Sequence, residues 1–241
     1  MDPELLIAAR KRLLSVAMER FASDSNVVGA FLGGSLAAGR ADAYSDIDLR
    51  IVVKPEAHAD FVARRCDIPK EWPGFLFNEW MPGALHCVSH FRPFGKIDIF
   101  YFNRDALTPS PWYGLPIKIL HDPSRGIAAL IAQSKDLPFT TSAADVEWSI
   151  SKGLAAAHEA YRRAHRGELL YAQTLLDELR HHIMQADDWL FGRIPSAFVH
   201  SKFDQRGSRD ALEALASSFC SYDAAALKAA LTVLVRLYRR Q

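Results

Sequence analysis

Between Gly33 and Leu49 the chain reads Gly33-Gly34-Ser35-Leu36-Ala37-Ala38-Gly39-Arg40-Ala41-Asp42-Ala43-Tyr44-Ser45-Asp46-Ile47-Asp48-Leu49, residue types suited to phosphate and metal. A glycine turn leaves backbone N–H groups unobstructed, and one that opens a helix is a ready anion site. Ser35 adds a hydroxyl donor at the same place. Further on, Asp46 and Asp48 stand two apart. On a strand that spacing projects both carboxylates from one face, roughly 6.5–7 Å apart. Such a pair can bridge two Mg²⁺ ions about 3.5–4 Å apart, as two-metal phosphoryl chemistry requires. A third acid, Asp98, interrupts the otherwise apolar run Ile97-Asp98-Ile99-Phe100-Tyr101-Phe102. A lone carboxylate is costly to bury in such a strand, and a shared metal removes that cost.

These side chains need strands to carry them. Val27 to Leu32 is a short apolar run ending at the glycines, and Ile47 to Val53 alternates and then turns wholly apolar; both read as strands. Further strands are expected at Phe75 to Trp80, Ala84 to Phe91, Lys96 to Phe102 and Pro116 to His121. Residues 3 to 22 space their apolar side chains as an amphipathic helix does, and a second helix runs from Pro55 to about Arg65. After about residue 123 the pattern becomes helical, over Ala143 to Arg166, Glu168 to Phe191, Asp210 to Cys220 and Asp223 to Arg240. Gly167 and the stretch from Gly192 to Gly207, which includes Pro195, break it. Strands first and helices afterwards predict an α+β chain. Residues 1–140 are expected to form a mixed sheet flanked by helices that carries the phosphate and metal site, and residues 141–241 an all-helical bundle that would bind the acceptor in such phosphoryl chemistry.

The bulk composition narrows the partners. Hydrophobic residues make up 49% and charged residues 24% of 241, a globular balance. The formal net charge is +1, without the basic excess that tracking a nucleic-acid backbone demands. The three cysteines, Cys66, Cys87 and Cys220, form no C-x-x-C pair, which suits a reducing compartment. With neither a signal-like start nor an apolar run long enough to span a bilayer, the expectation is a cytoplasmic chain without a membrane partner.

Gly34-Ser35, Gly39 and Ser45-Asp46-x-Asp48-Leu49 together resemble the DNA polymerase β-like nucleotidyltransferase superfamily. The helical half and the stretches Asn78-Glu79-Trp80 and Arg166-Gly167-Glu168 are similar to its antibiotic branch, the aminoglycoside and lincosamide adenylyltransferases. The resemblance implies that Gly34 and Ser35 hold the β- and γ-phosphates of ATP or another NTP. Asp46 and Asp48 would bind both Mg²⁺ ions. Asp98 would be either a further metal ligand or the base that takes the acceptor's proton. Attack by a hydroxyl of a small-molecule acceptor on the α-phosphorus would then expel pyrophosphate. A protein-modifying adenylyltransferase and a catalytically silent regulatory module are the alternatives, and about 100 helical residues fused to the motif favour the small-molecule enzyme.

Other residues invite weaker readings. Arg40 is a candidate phosphate contact, and Lys152 could reach a triphosphate or simply be an exposed helix lysine. His181 and His182 point about 100° apart on a helix, which is poor for chelating one ion. Trp72, Trp80, Trp112 and Tyr113 could line an acceptor pocket, though such aromatics commonly pack cores and hinges. Asp177-Glu178 and Asp187-Asp188 could meet a cationic aminoglycoside, though a solvated helix face is the plainer reading.

Overall fold

The computed structural model describes residues 2–194 and 198–241. The chain divides into two compact units, Met1–Pro138 and Phe139–Gln241. The first runs α1 (Pro3–Ala22), β1 (Val27–Leu32), α2 (Gly34–Ala37), β2 (Ile47–Val53), α3 (Pro55–Ala63), β3 (Phe75–Glu79), β4 (His86–Phe91), β5 (Gly95–Asn103), β6 (Lys118–His121) and α4 (Gly126–Ser134). Its described residues form a six-stranded mixed sheet in the order β3-β4-β5-β2-β1-β6. β2 and β5 are parallel, and the other neighbours are antiparallel.

Period-two alternation gives the sheet two unlike faces. Ile47, Leu49 and Ile51 of β2 and Ile97, Ile99 and Tyr101 of β5 are fully buried. They pack with Leu13, Ala17 and Phe21 of α1 and Phe61 of α3 into one apolar core. The intervening residues, Asp48 and Arg50 on β2 and Lys96, Asp98, Phe100 and Phe102 on β5, face the other way and are only partly buried. A smaller cluster covers the far part of that second face, where Phe31, Val52 and Ile127 meet Leu107, Tyr113 and Ile117. The strands lie where the alternation places them. Helix α4 went unread because its nine residues are too few for periodicity to separate from a loop.

The second unit is helical: α5 (Ala143–His165), α6 (Leu169–Leu190), α7 (Phe203–Arg206), α8 (Arg209–Ser217) and α9 (Ala224–Tyr238). Pro195, expected as a breaker, lies outside the described residues. Gly153, Ala156, Ala160 and Ala164 line the buried stripe of α5, and their small size lets neighbouring helices approach closely. A Cβ on Gly153 would stand 2.5 Å from the Tyr238 hydroxyl oxygen. Leu175, Leu176, Leu179 and Ile183 of α6 and Leu227, Leu231, Leu234 and Leu237 of α9 complete the core.

One reading of this half is corrected. Asp187 and Asp188 are not on a solvated face; they are 2% and 5% exposed. Asp187 accepts from Arg193 Nη1 at 2.6 Å and from the Ser208 backbone N–H at 2.9 Å. Asp188 accepts from Arg206 Nη2 at 2.7 Å. Ser208 is also the N-cap of α8, so the network ties α6 to the start of that helix. Buried carboxylates need such partners, and their arginines lie further along the chain, outside any local reading. Arg180 likewise is buried and donates to Ser218 Oγ at 2.8 Å, while its ion-pair partner is Asp177.

His182 is buried beside Ser149, with Nδ1 2.9 Å from Ser149 Oγ. The single Ser149 hydroxyl proton goes to Gln185 Oε1, so Ser149 Oγ accepts from the His182 Nδ1–H. Burial first, then positive charge on His181 and Lys152, holds His182 below its ordinary 6.5. The unfolded chain therefore takes up this proton at a higher pH than the folded one. Stability should be fully present above 6.5 and fall as pH drops through the lower native value. We expect the urea midpoint of the full chain, followed by helical circular dichroism, to be lower at about pH 5.5 than at about pH 7.5. The drop should shrink in His182→Gln; an identical drop in both proteins would place the titration elsewhere.

Candidate functional site

The three acids meet through strand pairing. β2 and β5 lie parallel in a register that sets Asp48 opposite Asp98. Asp46 comes two residues before Asp48, just ahead of the first β2 residue, Ile47. Equal parity puts all three on the second face of the sheet, across from the apolar core. Two carboxylates directly opposed on neighbouring strands repel each other and need a cation nearby.

The glycine turn is built around the same carboxylate. The Gly33 N–H donates to the Asp48 carbonyl at 3.0 Å, fixing the end of β1 to β2. Gly34 takes φ +61°, and a Cβ there would lie only 1.9 Å from Asp48 Oδ2. Only glycine leaves that volume to the carboxylate. Ser35 follows on α2, half-buried, so its hydroxyl sits one residue from the Asp48 contact. Helix α2 is a single turn of four residues. Arg40 is exposed beyond its end, with its N–H on the Ser35 carbonyl at 3.0 Å.

Two basic residues that the sequence reading passed over also belong to the site. Arg50, two residues after Asp48 on the same face, places Nη1 3.5 Å from Asp48 Oδ1 and donates to the Asp48 carbonyl at 2.8 Å. Its guanidinium lies over the Phe100 ring at 5.0 Å, and the missing side chain of Gly33 gives it room. Lys96, two residues before Asp98, donates from Nζ to Asp46 Oδ2 at 2.8 Å and lies 3.2 Å from Asp98 Oδ1. The second contact is an ion pair without hydrogen-bond geometry, so buried Asp98 Oδ1 accepts no hydrogen bond. The i±2 spacing from Asp48 and Asp98 was the signal that would have found both residues.

Charge and burial oppose each other here. Burial pushes the Asp98 carboxyl up, Lys96 pulls it down, and Asp46 and Asp48 push it up again; the net direction is upward. Lys96 is driven above its ordinary range because Asp46 and Asp98 outweigh its own burial. Among the described residues no three His, Cys, Asp or Glu side chains converge on one point. The donor chemistry nevertheless fits a hard divalent cation: three carboxylates on one face, one of them with a buried oxygen that lacks a hydrogen bond. Magnesium would be held by Asp46, Asp48 and Asp98 once Lys96 moves aside.

A crevice of about 620 Å³ opens from this corner. Gly34, Asp48 and Arg50 form one end, and Phe100, Trp112 and Tyr113 line its walls. Trp72 is instead buried against Phe91, and Trp80 is exposed beneath Arg65. Lys152 is exposed on α5.

The tight fit of Gly34 against Asp48 can be measured. Gly34→Ala should cost about 1–2 kcal/mol from the left-handed backbone alone, plus the displacement of Asp48. Removing the carboxylate removes the second part, so the Gly34→Ala penalty should be smaller in an Asp48→Ala background. A double-mutant cycle on unfolding free energies reads the difference. Equal penalties in both backgrounds would mean that the close approach is not felt.

Comparison with curated proteins finds no match. Thirteen solved chains match the structure. One is a nucleotidyltransferase-like protein from Exiguobacterium sibiricum, 14% identical over 95% of this chain and 74% of that one, with a TM-score of 0.47. Another is an aminoglycoside 6-adenyltransferase from Bacillus subtilis, 12% identical over 95% of this chain and 86% of that one, with a TM-score of 0.41. Residues 14–74 match the family model of the nucleotidyltransferase domain, a span that contains the glycine turn, Asp46 and Asp48. That segment, from within α1 to the threshold of β3, is where the chain is similar to a nucleotidyltransferase domain.

Proposed function

We propose that this chain transfers a nucleoside monophosphate, AMP from ATP, to a hydroxyl of a small-molecule acceptor. The observation that carries the reading is the alignment of Asp48 with Asp98 beside a glycine turn closed onto the Asp48 carboxylate, within a nucleotidyltransferase domain. Gly34 and Ser35 bind the β- and γ-phosphates through unobstructed backbone N–H groups and the Ser35 hydroxyl. Asp46, Asp48 and Asp98 hold Mg²⁺, two ions in the fullest form of the proposal. The metal supplies charge neutralisation at the phosphates and orients the reacting oxygens. Asp98 Oδ1, buried and accepting no hydrogen bond, either completes that ligand set or takes the proton from the acceptor hydroxyl. Arg50 adds positive charge at the phosphate end of the crevice, and the aromatic walls give a ring of either reactant an apolar surface and exclude water.

The helical unit, with its own core, sets acceptor choice in this reading, while the α/β unit holds nucleotide and metal. The motif resemblance makes aminoglycosides and lincosamides the first acceptors to try. The test is incubation with ATP and Mg²⁺ against a panel of both, with mass spectrometry for products heavier by one AMP. Asp48→Asn should abolish product while leaving the circular dichroism spectrum unchanged, and near-wild-type turnover in that variant would overturn the assignment. Ser35→Ala should weaken binding of a non-hydrolysable ATP analogue by about 1–2 kcal/mol, the contribution of one hydrogen bond to a charged group. Calorimetric titration measures it, and unchanged affinity would move the phosphate site away from this turn.

A further inference from the structure

Lys96 lies inside the site yet has no part in the transfer described above. Its ammonium spans Asp46 Oδ2 at 2.8 Å and Asp98 Oδ1 at 3.2 Å, two carboxylates delivered by different segments of the sheet. Both belong to acids read above as holding the divalent cation. The side chain is about one-third exposed, so it has a route to solvent. Arg50 differs: its guanidinium is committed to the Asp48 backbone carbonyl and to the Phe100 ring, and it spans no two acids.

We propose that Lys96 is a built-in counter-ion that keeps Asp46 and Asp98 together before metal enters and competes with the metal for the same oxygens. The inference rests on the reading of Asp46, Asp48 and Asp98 as metal carboxylates. Metal entry displaces Lys96 Nζ from Asp46 Oδ2 and Asp98 Oδ1 into solvent. Since the site accepts metal only while the ammonium is out, the apparent metal affinity is lower than the three carboxylates alone would give. Lys96 is thus a positioning residue that sets the metal concentration at which the site fills.

The test uses the full chain and Mn²⁺ as probe, with the free-ion electron paramagnetic resonance signal reporting occupancy. Lys96→Met should tighten Mn²⁺ binding by about tenfold or more, the modest end of what a unit charge a few ångströms away exerts. Lys96→Arg, which keeps a cation, should stay within about threefold of wild type on the same grounds. Lys96→Gln gives a second neutral variant should the Met protein aggregate. The melting midpoint should rise more with Mn²⁺ in the neutral variants than in wild type, since ligand stabilisation follows affinity. Asp48→Asn, read alongside, identifies the site. If Mn²⁺ binding depends on Asp48 but is unchanged or weakened by both neutral Lys96 variants, the counter-ion role is overturned and the metal reading stands. If Mn²⁺ binds no variant, or binds without regard to Asp48, the metal reading falls and this inference falls with it.

Discussion

The site depends on one constraint: β2 and β5 run parallel and in register, so two carboxylates that are 50 residues apart in sequence stand side by side. Parallel neighbours need a long crossover, and here it passes through α3 and the β3–β4 hairpin. The crossover places α3 on the core face, leaving the carboxylate end of the second face open. Like charges in adjacent register positions cost free energy. The protein meets that cost with cations on either side: Arg50 beyond Asp48 and Lys96 before Asp98. Every charged residue of the site obeys the same parity, because a single-residue slip of either strand would drive its acid into the apolar core.

That parity also explains why the fold holds while its second face carries charge. The core between the sheet and helices α1 and α3 is filled by Ile47, Leu49, Ile51, Ile97, Ile99 and Tyr101 without help from the polar side. Tyr101 shows the demand for apolar volume: its ring is wholly buried and its hydroxyl finds no hydrogen-bond partner among the described residues. The second face is released from packing near Asp48 and only regains a cover further on, at Phe31, Val52 and Ile127. The crevice takes in both parts, lined by Asp48 and Arg50 and also by Phe31, Leu107, Tyr113 and Ile117 of that cover.

Much of this was legible in the residue order. Strand alternation located β1, β2 and β5, and the acids within them, because a period of two fixes a face without knowledge of partners. The long amphipathic helices of the second unit were equally plain, each carrying enough turns for its apolar stripe to repeat. What local pattern could not give was pairing. That Asp48 faces Asp98 in a parallel register, that Gly34 lacks a side chain for the sake of Asp48 Oδ2, and that Asp187 and Asp188 are buried against Arg193 and Arg206 are all facts about partners at a distance. Arg50 and Lys96 fall between the two cases. Their parity with the acids was visible, but an ordinary solvated basic residue on a strand has the same spacing.

Gly34 and Lys96 answer two halves of one physical problem. A carboxylate that is to face phosphate and metal, as proposed for these acids, has to be held in place beforehand, in a partly dehydrated corner, without a ligand to hold it. Gly34 settles the space: by giving up its side chain it lets the Asp48 carboxylate lie directly against the turn. Lys96 settles the charge: its ammonium keeps Asp46 and Asp98 from repelling each other. A hydrophobic substitute could fill the same volume but would leave buried oxygens without a counter-charge, and the loss would exceed what packing returns. The corner is therefore folded in advance around a glycine turn and a cation. In the proposed reaction the incoming metal need only exchange that cation, a smaller rearrangement than assembling the site from separate strands.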